Sequence, residues 1–277
     1  MTLPAVPEPF YWIDAPWGHA LRCRALDGVA THLFSTRQLE LSSDTHAAAL
    51  TASLGALRLV QVNQVHGRAH VVVRAGAPLA AGDRPEADIL VSNAAEAAVA
   101  VRAADCVPIL LADRKTGAVA AVHAGWRGTC AGAAGAAVGA LRAEFGSRPD
   151  DLVAAIGPSI GVCCYEVGPE LVNAFAAGGY ERHLIDRWFT STPPPRGSRA
   201  RNPLRLDAAG ANRDQLLLAG VPEEQVYLSG LCTAMHLDVL TSYRAEKEKA
   251  GRLVAAIRAG GQSSSGGDVL RRISFVS

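Results

Sequence analysis

The feature that most constrains this chain is a succession of short apolar runs, each closed off by polar residues. The strongest covers residues 107–112 and is bracketed by Asp105 and Asp113. Apolar runs of this length with polar ends are the signature of buried strands. The same reading applies to residues 29–35, 88–91, 99–101, 118–123, 152–156, 226–229 and 253–257. Residues 59–66 and 70–74 read as two further strands joined at Gly67. The first of them carries Gln61, Asn63 and Gln64, so at least one of its faces is not plain core.

Between these runs lie segments of helical character. Residues 128–145 are rich in Ala and Gly and contain no Pro, which predicts one helix with a small-residue face packed close to a sheet. Its glycines weaken that helix by about 1 kcal/mol each relative to Ala. Residues 169–177 predict a helix with Pro169 in its first turn, where the missing N–H does no harm. Residues 207–219 predict a helix capped by Asp207 and followed by Gly220. Residues 157–161 and 192–197 read as loops, and residues 260–267 (GGQSSSGG) as a linker. Strands and helices interleave without a regular βαβ alternation, and no internal repeat is found. The expected fold is α/β (α+β) with mixed β-sheets flanked by helices. It forms a single catalytic domain over residues 1–259, with a flexible tail at 260–277.

Composition narrows the function classes. Half of the 277 residues are hydrophobic (49%), ample for a buried core. Lys plus Arg (27) nearly balance Asp plus Glu (26), so no electrostatic footprint for nucleic acid or an anionic membrane is present. The first residues, MTLPAVPEPFYWID, lack a basic start and an apolar stretch of signal-peptide length, and no run is long enough to span a membrane. A cytoplasmic location is therefore expected. Its six cysteines (Cys23, Cys106, Cys130, Cys163, Cys164 and Cys232) are then expected to be reduced. A small molecule is the expected partner, and a monomer or weak homo-oligomer the expected state.

Three segments carry potential chemistry: QVHG ending at Gly67, ADCVP around Cys106, and HAGWRG starting at His123. Each places a potential metal ligand at the end or start of an apolar strand. The three lie too far apart in sequence for a structural zinc finger. If they converge, two imidazoles and a thiolate suit Zn²⁺ and leave a fourth position open, the catalytic arrangement. Cu²⁺ is compatible with the same set. Taken singly, each residue also has an ordinary structural explanation: a buried thiol, or a histidine satisfied in a turn.

The segments NQVHG, ADCVPILLAD, AVHAGWRGT, IGPSIGVCCYEVG and LCTAMHLDVLTSYRAEKEKAGR occur in that order. Together they resemble the laccase-domain, or multicopper polyphenol oxidase-like, family, of purine nucleoside phosphorylase and peptidoglycan editing factor type, over nearly the whole chain. The resemblance implies that His66, Cys106 and His123 ligate a catalytic zinc. It also implies phosphorolysis of adenosine, inosine, guanosine and methylthioadenosine, and deamination of adenosine. Purine nucleosides and phosphate are then the partners. Within the same resemblance lie an editing hydrolase for a peptidoglycan precursor and copper-dependent polyphenol oxidation. More distant readings are a cysteine hydrolase using Cys106 and His123, and a binding protein with a structural metal.

For the phosphate, Arg37 and Arg127 are the candidates, each with a surface or ion-pair role as the alternative. Asp105, beside Cys106, is a candidate to orient a ligand or carry a proton, or simply to close a strand end. Residues 157–168 are candidates for a backbone nest. Cys163, Cys164 and Cys232 are expected to be buried structural thiols. Ser242, Tyr243 and Arg244 match the family's SYR segment and are candidates to line the pocket. Two departures stand out. The family's glycines after Thr36-Arg37 are replaced by Gln38-Leu39, and the second Arg of its SYRR is Ala245.

Overall fold

A computed structural model describes residues 2–76, 84–191 and 203–260. Fourteen strands and seven α-helices are found among them. The strands are β1 (Phe10–Ala15), β2 (Gly18–Cys23), β3 (Ala30–Ser35), β4 (Arg58–Val60), β5 (His70–Val73), β6 (Ile89–Ser92), β7 (Ala97–Ala103), β8 (Val107–Asp113), β9 (Val119–Ala124), β10 (Leu152–Ile156), β11 (Phe189–Ser191), β12 (Leu204–Leu206), β13 (Val226–Leu228) and β14 (Leu253–Ala259). The helices are α1 (Asp44–Ser53), α2 (Trp126–Cys130), α3 (Ala133–Phe145), α4 (Pro169–Ala177), α5 (Arg182–Trp188), α6 (Ala208–Leu218) and α7 (Tyr243–Glu246).

Two six-stranded sheets carry the fold, in the orders β1-β2-β3-β14-β7-β4 and β13-β10-β8-β9-β6-β5; β11 and β12 form a separate pair. Both large sheets are mixed, as expected: β4 runs parallel to β7, β5 to β6 and β10 to β13, and the remaining pairs are antiparallel. The alternation of side chains along a strand sorts the layers. On β8, Val107, Ile109 and Leu111 face α3–α6, whereas Leu110 and Ala112 face the first sheet across a shared core with Val99, Val101 and Ile257. Alanines such as Ala121, Ala155 and Ala255 keep that inter-sheet layer thin. On its other face the first sheet packs Ala98, Ala100 and Val254 against Leu50 and Leu54 of the α1 region.

The structure corrects two expected elements. Residues 59–66 do not form one strand: β4 ends at Val60. Beyond it the Gln64 side chain donates to the Arg102 carbonyl (2.7 Å) and accepts from the Arg102 amide (2.8 Å), taking the place of a backbone ladder. Its successor β5 belongs to the other sheet, so Gly67 lies on a crossing between sheets and not in a hairpin. The single helix expected over 128–145 is two, α2 and α3, broken at Gly132, whose φ of +80° no helix interior admits. The loop at 192–197 and the linker beyond Gly260 lie outside the described residues. All six cysteines are free thiols, as expected. Among the described residues no helix is long and apolar enough to cross a membrane.

Candidate metal centre

His66 lies on the crossing from β4 to β5, and Cys106 on the crossing from β7 to β8. His123 lies near the end of β9, paired with Pro108 of β8. Topology thus brings three distant residues to one end of the two-sheet stack. Their ligand atoms all fall within 4.8 Å of one another. The imidazoles of His66 and His123 meet edge to face, with centroids 4.9 Å apart.

The backbone is bent to achieve this. His66 has φ +62° and Asp105, just before Cys106, has φ +86°. Non-glycine residues rarely occupy this region, and such strain persists only where the surroundings hold it. At His66 the restraint is the buried carboxylate of Asp88: it accepts the backbone N–H groups of Val65 (3.2 Å), His66 (3.0 Å) and Gly67 (2.6 Å). Asp105 is held by its own side chain. One oxygen accepts from the Thr233 hydroxyl (2.6 Å), the other from the Arg244 amide (2.6 Å), and its carbonyl accepts from the Ile160 amide (2.9 Å). Asp105 therefore ties the Cys106 turn to two later loops.

The ligand-orienting carboxylate is Asp88, which sequence reasoning missed. Its Oδ1 lies 2.7 Å from His123 Nδ1. That contact favours a proton on Nδ1, which would leave Nε2 as the atom offered to a metal. A signal was available: an Asp heading the apolar stretch ILVS costs stability when buried unless it is paired. Burial pushes the Asp88 carboxyl up, but hydrogen bonds from His123 and Gly67 outweigh it and hold it below the usual carboxylate range. At Cys106 burial raises the thiol, yet the His123 and His66 side chains bring it down to about 7. At His123 burial lowers the imidazolium, while Asp88 and Cys106 hold it up at about 9. A thiolate near neutrality, flanked by two imidazoles, is a donor set for a borderline cation.

Gly125 keeps the space clear, since a Cβ there would lie 2.9 Å from both Cys106 Sγ and His66 Cδ2. The three donors open into a pocket of about 1290 Å³. Arg37, Arg102, Arg127, Arg244, Lys247, Lys249 and Arg252 outnumber Glu40, Asp105 and Glu248 on its wall. Of the two arginines singled out from the sequence, Arg37 is engaged by Glu246 (2.9 Å) and the Leu237 carbonyl. Arg127 is exposed, stacks over its neighbour Trp126 (4.4 Å to the ring centroid) and forms no ion pair among the described residues. Arg102 was not foreseen. Burial lowers its pKa, as do the neighbouring cations Arg84 and Arg252, and it forms no ion pair among the described residues. Tyr243 and Arg244 line the pocket as the SYR match suggested, while Ser242 is buried and caps α7 through the Ala245 amide. Ile160 and Tyr165 are the parts of 157–168 that reach the wall, and burial pushes the Tyr165 phenol up to about 12.

The chain is similar to several known proteins. Residues 35–260 match the family model described as multi-copper polyphenol oxidoreductase laccase. A purine nucleoside phosphorylase of Bacteroides thetaiotaomicron is 38% identical over 170 residues, 61% of this chain and 60% of its own length. That of Deinococcus radiodurans is 35% identical over 86% of this chain and 88% of its own. An adenosine deaminase, RL5, from an unknown prokaryotic organism is 38% identical over 53% of this chain and 52% of its own. Among solved structures, Bacillus licheniformis YfiH superposes with a TM-score of 0.76 at 25% identity, covering 92% of this chain and all of that one.

Proposed function

Since the chain belongs to the multi-copper polyphenol oxidoreductase laccase family, we propose that it is a zinc-dependent purine nucleoside phosphorylase that also deaminates adenosine. The observation that carries this reading is the convergence of His66, Cys106 and His123, with Asp88 behind His123, on a cation-lined pocket. The names of the relatives support the substrate class.

His66, Cys106 and His123 would hold the zinc, which would supply Lewis-acid chemistry at the pocket. The mixed imidazole–thiolate set suits zinc and is also compatible with copper; zinc is the metal of this reading. The chain's own residues do the rest. In phosphorolysis a phosphate oxygen bonds to the anomeric carbon, the glycosidic bond breaks, and its electron pair leaves with the purine, which gains a proton. Arg127 and Arg102 hold the phosphate, because their charge has no carboxylate partner among the described residues. Arg37, already paired with Glu246, shapes the wall. Tyr165 and Trp126 offer aromatic surface to the base. Asp105 fixes the Cys106 turn. In deamination, water replaces the amino group of adenosine and ammonia leaves.

The test is to incubate zinc-loaded protein with adenosine and phosphate and to separate the products chromatographically. Adenine with ribose-1-phosphate reports phosphorolysis, and inosine reports deamination. Absence of all three at full zinc occupancy overturns the proposal. Undiminished turnover after metal removal, abolished by alkylating Cys106, would instead mark Cys106 as a nucleophile.

A further inference from the structure

Cys163, Cys164 and Cys232 form a second convergent group whose Sγ atoms also lie within 4.8 Å of one another. They are not all buried structural thiols, since Cys163 is exposed and only Cys232 is buried. We propose that these three thiols form a thiolate-only metal site that takes a soft cation, Cu(I) by preference. It is separate from the His66–Cys106–His123 centre and stands whether or not the proposed activity does.

The site is built by its backbone. The amides of Cys164 and Tyr165 both donate to the Gly161 carbonyl (2.9 and 3.0 Å), closing a tight turn. In an extended strand, adjacent cysteines would point to opposite faces. In this turn their sulfurs lie 3.6 Å apart. Cys232 is held opposite by its bridge to Ser159 and by the Thr233 amide bond to the Ser159 carbonyl (3.0 Å). The Gly161 N–H donates to Cys232 Sγ (3.2 Å) and holds that sulfur against the turn. Gly161 also leaves the cradle open. A Cβ there would press on Cys163 Sγ at 3.3 Å and Cys232 Sγ at 3.5 Å. Arg205, itself buried, donates to the Cys163 carbonyl (2.9 Å) and so helps to fix the turn that carries the two adjacent thiols.

Metal–thiolate bonds of about 2.3 Å place three sulfurs around one ion roughly 4 Å apart. The cluster meets that spacing with small side-chain rotations. Among the described residues no imidazole or carboxylate belongs to it. Thiolates suit both zinc and Cu(I), but zinc would take a fourth ligand from outside the cluster, whereas three sulfurs alone complete a Cu(I) shell. On binding, three S–H bonds break, three S–Cu bonds form and three protons pass to solvent, with no change of oxidation state. Burial and the neighbouring cysteines push Cys164 up to about 12, and Cys163 is raised as well. Such thiols are poor targets for peroxides, which attack thiolates. Their affinity for metal falls as pH falls.

The test uses the full-length chain carrying Cys106→Ser, so that the first centre offers no competing sulfur. Cu(I) is added under argon against a colorimetric Cu(I) chelator, and the copper environment is read by X-ray absorption. Expected is one tightly held Cu(I) per chain with a sulfur-only shell. Cys163→Ser, at an exposed position, lowers the affinity at least about tenfold while leaving the thermal unfolding midpoint unchanged. Cys164→Ala does the same, and Cys130→Ser does not. Equal Cu(I) affinity with and without Cys163, or nitrogen ligands in the copper shell, overturns the proposal. So does a pair of these cysteines that stays disulfide-bonded in reducing buffer.

Discussion

At the scale of single residues, the metal centre depends on two groups that never touch the metal. Asp88 favours one His123 tautomer and holds the strained His66 turn with the same carboxylate. Asp88→Asn preserves the shape but removes the charge, and one amide cannot accept all of the bonds Asp88 accepts. We expect zinc affinity to fall by about 10–100-fold, measured by competition with a chromophoric chelator. Gly125→Ala acts through space alone. Its methyl group forces Cys106 Sγ or His66 Cδ2 to retreat, so affinity should fall while the unfolding midpoint of the metal-free protein barely moves. An equal affinity in both variants would show that the donor set needs neither orientation nor room. The three candidate donors could be named from the sequence because the segments that carry them, QVHG, ADCVP and HAGWRG, resemble the family's; their convergence could not, since it depends on the crossings between the sheets. Nor could Asp88 be named, because a strand-leading Asp looks the same whether it faces solvent or a histidine.

At the scale of elements, long apolar runs were legible and connections were not. β8, β9, β10 and α6 fall within a residue or two of their expected bounds, since burial and period alone define them. The hairpin β1–β2 and helix α1 carry weak patterns. Residues 10–15 mix Tyr, Trp and Asp, and α1 buries only Leu50. Beyond Val60 a side chain replaced the ladder, and Gly132 broke a helix that composition had made continuous. That break positions Arg127 and Trp126, because α2 is clamped separately. Asn212 of α6 donates to the Thr129 hydroxyl (2.8 Å). Gln215 donates to the Thr129 carbonyl (2.7 Å) and to the Tyr180 hydroxyl (2.9 Å). Replacing buried Asn212 by Leu strands the Thr129 hydroxyl and should cost about 1–3 kcal/mol. Urea unfolding reads this loss, and KM for phosphate should rise as α2 loosens. A shift within experimental error would show that the clamp is dispensable.

At the scale of the whole molecule, pH sets stability through groups far from the pocket. His32 is buried between β3 and its neighbours, and its Nε2 accepts the Cys23 amide (2.9 Å). Burial and the nearby Arg22 lower its pKa from 6.5 to about 4. Between those values the unfolded chain binds a proton that the folded chain refuses, so stability falls as pH drops from 6.5 towards 4. The loss amounts to roughly 3 kcal/mol. His32→Gln keeps a side-chain acceptor for the amide and should flatten that part of the pH profile; an unchanged slope would place the acid sensitivity elsewhere.

The two sheets meet where the chain crosses between them, and the crossings bear His66 and Cys106. The topology thus brings the candidate ligands together, and the proposal that this centre performs the chemistry is the one to test. Metal-free protein is titrated with Zn²⁺ while adenine release from adenosine and phosphate is followed. The expected result is a rate that climbs in proportion to zinc bound and levels off when the His66–Cys106–His123 centre is filled, with Cys106→Ala inactive throughout. Full-rate adenine release before any zinc is added, or none at saturation, would contradict it.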